Sequence, residues 1–198
     1  MIPDHPDAAL LAVDAVDVAR AFGPTQALRG LNLRLPRGEL YGLVGPDGAG
    51  KTTAVRALAG LLDPDRGEIR VLGLDPRSRA AREHMGLMPQ RYALYGDLTI
   101  DENLTFFGDL FCVPRDQYRA RRERLLQVTR LAPFVDRRAD ALSGGMYKKL
   151  ALACALLHSP DVLFLDEPTN GVDPVSRREL WALLHEFVAQ GTTVLVTT

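Results

Sequence analysis

The chain has 198 residues, 46% hydrophobic and 25% charged, with a formal net charge of −1. That length buries a substantial core in one domain, or in one domain with a subdomain, and the near-neutral balance excludes a global pull toward nucleic acid or anionic lipid. No apolar run approaches the ~20 residues that span a bilayer, and the acidic, proline-bearing start M-I-P-D-H-P-D is wrong for a secretory signal.

Residues 1–10 read as a disordered tail. From about Leu11 to Leu40 apolar and polar residues alternate, as in A-V-D-V-A-R and L-N-L-R-L, which predicts half-exposed strands joined by turns. From Tyr41 the pattern becomes strand, glycine loop, helix. Val55, Leu58, Leu61 and Leu62 fall on one predicted helical face, and Gly60 and Pro64 bracket its end. Residues 99–130 read as helical. After Ser143 a helix runs to His158, V-L-F-L is a buried strand, Pro174 to Val188 is a helix, and V-L-V is a second buried strand. Asp173-Pro174 is a strong helix start, an Asp cap followed by proline at the first helical position. Apolar strands alternating with helices imply a mostly parallel sheet covered on both faces, with ligands beyond the carboxyl ends of its strands. Cys112 and Cys154 have neither metal-ligand nor redox spacing and read as reduced thiols of a cytosolic protein.

Three short motifs carry chemistry. Gly45, Pro46, Asp47, Gly48, Ala49, Gly50, Lys51 and Thr52 fit G-x-x-x-x-G-K-[ST], and the phosphate-binding run extends to Thr53. The glycines let backbone N–H groups converge on phosphate oxygens, and the following helix aims its positive end at the same place. Lys51 then reaches the β- and γ-phosphates, and the Thr52 hydroxyl holds Mg²⁺. Val162 to Glu167 is an apolar strand ending in two acids. Asp166 suits the metal's surroundings, and Glu167 suits orienting and deprotonating a water for attack on the γ-phosphorus. Ser143, Gly144 and Gly145 form a second anion cradle at a helix start. One nucleotide cannot easily use both cradles, but two facing copies can share two nucleotides.

With these motifs in this order, the chain resembles the nucleotide-binding domain of an ABC ATPase from about Val13 to Thr198. The resemblance implies an α/β P-loop fold with an antiparallel N-terminal β subdomain and a helical subdomain at about 91–145, within one domain spanning 11–198. It implies that Gln90 touches Mg²⁺ and the attacking water, that Phe22 stacks on adenine rather than serving as a core residue near a turn, and that Asp173 in the D-loop faces the other subunit. It further implies ATP and Mg²⁺ as ligands, a second nucleotide-binding domain as partner (a homodimer or tandem copy), no nucleic acid, and a place on the cytoplasmic face of the membrane. G-P-D-G-A-G-K-T-T, L-S-G-G-M and E-P-T-N-G-V-D-P look most like the multidrug-type exporter branch, whose permeases are of the ABC-2 kind. The competing readings are a soluble ABC ATPase of translation or repair and a non-hydrolysing interaction module. Gln90 and Ser143 lie too close in sequence to admit a long coiled-coil arm.

Two departures carry expectations. Met146 stands where the family's signature has Gln, so it packs rather than hydrogen-bonds. The family's switch histidine falls at position 199, one beyond Thr198, and neither His158 nor His185 is placed to replace it. The expectation is a truncated chain that binds nucleotide and hydrolyses it weakly.

Overall fold

The computed structural model describes residues 11–90 and 94–198; the expected tail lies outside them. The alternating N-terminal segment forms β1 (Leu11–Phe22) and β2 (Thr25–Pro36), joined at Gly23, whose φ of 56° is left-handed. With β4 (Arg66–Val71) they make an antiparallel sheet of order β2-β1-β4. The second sheet holds β3 (Leu40–Leu43), β5 (Met85–Met88), β6 (Val162–Asp166) and β7 (Thr193–Thr197) in the order β3-β7-β6-β5, every neighbouring pair parallel. The architecture is α/β, as expected.

The helices are α1 (Lys51–Leu58), α2 (Arg79–Arg82), α3 (Ile100–Leu110), α4 (Arg115–Val128), α5 (Gly144–Leu156) and α6 (Pro174–Ala189). Their starts are chemically marked. Thr99 and Glu102 form a reciprocal capping box on α3, Ser143 caps α5, and the Asp173 carboxylate accepts from the Val175 and Ser176 amides at the head of α6. Those backbone donors hold the Asp173 carboxyl below its ordinary value.

One expectation needs correction. The helix after the glycine loop ends at Leu58, and Leu61 is 61% exposed instead of lying on a buried stripe with Leu62. The cause is Gly60. It adopts a left-handed φ of 68°, and a Cβ there would sit 2.5 Å from the Pro76 carbonyl oxygen, so the chain turns off early.

Apolar side chains of the parallel strands alternate between two cores. Val162, Phe164 and Leu195 enter one with Val55 and Leu58 of α1 and with β1; Leu163, Leu165, Val194 and Val196 enter the other with α3, α4, α5 and α6. Strands covered on both faces are why V-L-F-L reads as an unbroken apolar run. Both cysteines are free, Cys154 buried and Cys112 exposed. Among the described residues no helix is long and apolar enough to cross a membrane.

Candidate nucleotide site

Because four strands run parallel in nearly matched register, their carboxyl ends arrive at one edge of the sheet. β3 delivers the Gly45–Thr53 loop, β7 delivers Thr197 and Thr198, β6 delivers Asp166 and Glu167, and β5 leads to Gln90. Hydrogen bonds stitch these ends in sequence across the edge. The Gly45 N–H donates to the Thr198 carbonyl at 3.4 Å. The Thr197 hydroxyl donates to Asp166 Oδ1 at 2.7 Å and accepts from the Glu167 N–H at 3.0 Å. Gln90 Nε2 donates to Glu167 Oε2 at 2.8 Å.

The glycine loop is built for backbone approach. Gly48 and Gly50 take φ of 79° and 90°, and a Cβ on Gly50 would lie 2.2 Å from the Ala27 carbonyl oxygen. Gly50 occupies the N-cap of α1 and brings no side chain to cap it. The N–H groups of that first turn are left to an outside acceptor. Pro46, Asp47, Gly48 and Ala49 are exposed, while Lys51 is 8% exposed. The Lys51 ammonium donates to the Gly45 carbonyl at 2.5 Å and the Pro46 carbonyl at 3.2 Å, so it is folded back into the loop it belongs to. Thr52 and Thr53 are half-buried behind it. A hollow of about 400 Å³ opens beside Gly48 and Ala49, walled by β2 from Gln26 to Leu31.

The two acids differ sharply in setting. Asp166 is 2% exposed and ends its strand. Glu167 has left the strand with φ 49°, a left-handed conformation that costs a non-glycine residue on the order of 1–3 kcal/mol and persists only where the surroundings over-determine it. Four residues do so. Besides Thr197 and Gln90, Asn170 donates twice, from Nδ2 to Glu167 Oε2 at 3.0 Å and from its N–H to the Glu167 carbonyl at 3.3 Å, and Lys148 Nζ donates to the same carbonyl at 3.1 Å. Thr197 and Lys148 were not among the residues picked from sequence, and nothing local marks them; Asn170 was read only as part of the D-loop that faces the other subunit, not as a partner of Glu167.

Other expected residues lie elsewhere. Phe22 ends β1 in the antiparallel sheet and is 48% exposed, with the Arg20 guanidinium 5.1 Å from its ring centroid. That exposure excludes the core reading of Phe22. Ser143 and Gly144 are exposed at the head of α5, and among the described residues no hydrogen bond joins them to the glycine loop. Their turn instead lies against the start of α6: a Cβ on Gly145 would meet Ser176 Oγ at 2.6 Å. Met146 is partly buried against the core, packing as expected. Asp173 serves its own helix as a cap while standing at the same exposed corner.

The donor set fits a triphosphate with a hard divalent cation. The loop offers uncapped N–H groups and a lysine, the first turn of α1 a threonine hydroxyl, and the neighbouring strand ends a carboxylate and an amide oxygen, the oxygen ligands such a cation prefers.

A family model described as ABC transporter matches residues 28–170. The chain is 42% identical over 188 residues to a probable multidrug ABC transporter ATP-binding protein, YbhF, of Escherichia coli K12, covering 94% of this chain and 32% of that protein. It is 43% identical over 189 residues to the Nod factor export ATP-binding protein I of Paraburkholderia xenovorans, covering 94% of this chain and 62% of that protein. The chain therefore spans less than two thirds of the length of these curated relatives. Among solved structures, an ATP binding subunit of an ABC transporter superposes with a TM-score of 0.85 at 28% identity, over 94% of this chain and 79% of that one. The cbiO1 protein of Clostridium perfringens, part of the ABC transporter complex cbiONQ, superposes with a TM-score of 0.82 at 30% identity, over 95% and 78%.

Proposed function

The chain belongs to the ABC transporter family, and from that premise we propose that it is the ATP-binding and ATP-hydrolysing part of a membrane exporter. The observation that carries the catalytic half of this reading is Glu167, held in a strained backbone conformation with its carboxylate beside Gln90. In this reading the glycine loop and Lys51 hold the phosphates, and Lys51 exchanges its two loop carbonyls for phosphate oxygens. Mg²⁺ when bound neutralises charge on the β- and γ-phosphate oxygens, with Thr52, Asp166 and Gln90 as its protein neighbours. The Gln90 amide nitrogen is bonded to Glu167, which turns the amide oxygen to other partners. Glu167 takes the proton from the attacking water. Phe22 provides an exposed ring for the adenine base.

Enclosure of the nucleotide comes from a second such domain. Ser143 and Gly144 are exposed beside Asp173, and Val175 at the same corner is 61% exposed, which leaves the serine turn open to a facing copy. ATP affinity that is greater in the closed pair than in the open one is what moves a partner. That partner is an ABC-2-type permease, and the chain works peripherally at the cytoplasmic membrane face. Its docking region is the helical segment, where rings contact in series: Tyr95–Phe106 at 4.6 Å, Phe106–Phe107 at 5.4 Å, Phe107–Phe111 at 6.4 Å. The outer faces of Tyr95, Phe106 and Phe111 are exposed.

The test uses the full-length protein. Glu167→Gln is expected to keep MgATP binding, to lower turnover by about a hundredfold or more, and to accumulate the ATP-bound dimer in sedimentation. Lys51→Ala is expected to weaken ATP binding itself in equilibrium titration. Unchanged turnover in the Gln variant removes Glu167 as the base.

A further inference from the structure

We propose that Lys148 is a positioning residue for hydrolysis, tying the backbone of Glu167 to the helix that carries the Ser143 turn. This rests on the reading of Glu167 as the base. The Lys148 ammonium donates to the Glu167 carbonyl oxygen at 3.1 Å. The other residues that tether Glu167 are Thr197 on β7, Gln90 beyond β5 and Asn170 in the following loop, whose N–H donates to the same carbonyl oxygen at 3.3 Å. Lys148 is the tether that carries charge, and it comes from α5.

Its neighbour on the same helix has a different task. Lys149 pairs with Glu179 of α6 and braces two helices. Successive residues on a helix point about 100° apart, so two adjacent lysines serve a brace and the site separately. Burial pushes the Lys148 ammonium below its ordinary value, and the Glu167 charge pulls it back up.

Glu167 sits at φ 49°. A residue held there relaxes toward ordinary backbone angles once its tethers loosen, and a rotation at Cα swings the carboxylate away from the position set by Gln90 and Asn170. The Lys148 contact opposes that relaxation. Through it a movement of α5, whose first turn carries Ser143 and Gly144, is felt directly at the base.

The experiment measures steady-state ATP turnover and MgATP affinity of the full-length protein with Lys148→Met, Lys148→Arg and Glu167→Gln side by side. The Met variant is expected to lose about tenfold or more in kcat while its Kd for MgATP stays within about twofold, and the Arg variant, which keeps a charged donor, regains most of the rate. A Met variant whose kcat stays within about twofold of the parent overturns the proposal, as does equal loss in the Met and Arg variants. A rise in Kd that accounts for the whole loss also overturns it. If the Met variant does not fold, Lys148→Gln replaces it in the same comparison with Arg. Turnover that survives Glu167→Gln sinks the reading of the base, whatever the lysine variants do.

Discussion

The Thr197 hydroxyl uses both of its hydrogen-bonding capacities at one place, donating to Asp166 and accepting from the Glu167 amide. Thr197 is fully buried, so neither partner has water to turn to when the hydroxyl is removed. Thr197→Val keeps the shape of the side chain and leaves a carboxylate oxygen and an N–H unpaired, at about 1–3 kcal/mol for each group. The expected outcome is a loss of about 2 kcal/mol or more in urea titration, with Thr197→Ser retaining most of the stability. No loss in the Val variant means that the two acids find other partners. The same residue shows what sequence reading reaches. Lys51, Asp166 and Glu167 stand out because their chemistry is written in contiguous motifs. Thr197 and Lys148 reach Glu167 only through strand pairing and the seating of α5, so no local pattern around either one marks it.

At the scale of elements, α5 joins opposite edges of the parallel sheet. Its first turn is the exposed Ser143 corner. Just past its end His158 Nε2 donates to the carbonyl of Met85, the first residue of β5, and the ring stacks on Phe111 at 4.1 Å. Burial pushes the His158 pKa below 6.5, the Met85 carbonyl opposes that shift, and the nearby charges of Arg121 and His84 add to it. The folded state therefore binds this proton less readily than the unfolded chain does. The contribution of His158 is fully present above pH ~6.5 and is lost as the pH falls through that value toward the lowered one. Melting temperatures measured between about pH 5 and 8 are expected to drop on the acid side, and His158→Gln is expected to flatten that limb. An unaltered acid limb in the variant assigns the loss to other groups. β5 itself was not legible in sequence. M-G-L-M is short, lacks β-branched residues and carries a glycine. The glycine is there because a Cβ on Gly86 would lie 2.8 Å from the Ala155 carbonyl oxygen of α5 and 2.9 Å from Leu163 Cδ1. β4 escaped notice for another reason: of R-G-E-I-R-V only Ile69 and Val71 are buried, too few to display a period. The long hairpin and the central strands were legible because burial on one face or on both leaves a pattern that composition cannot hide.

At the scale of the whole molecule, the two cores meet in the backbone of the parallel sheet. Neighbouring residues of β6 point into different cores, Leu163 and Leu165 on one side, Val162 and Phe164 on the other, and β7 repeats the arrangement. Neither core can come apart without removing one wall of the other, so the chain is expected to unfold as a single unit. The single tryptophan offers a one-sided probe of that coupling. Trp181 packs on α6 against the core that holds α3 to α6, whereas Leu58 of α1 is fully buried in the opposite core. Leu58→Ala removes about 2–5 kcal/mol of packing there. If the sheet couples the cores, the Trp181 fluorescence transition moves to lower denaturant by the same amount as the circular dichroism transition, and its slope is kept. If the cores melt independently, the fluorescence midpoint stays where it was while part of the dichroism signal moves. The first outcome has a consequence for the site, because its parts hang on the ends of the strands the cores share. A weakening of packing on either face then loosens the strand ends together, and ATP binding is lost in the same transition as the fold.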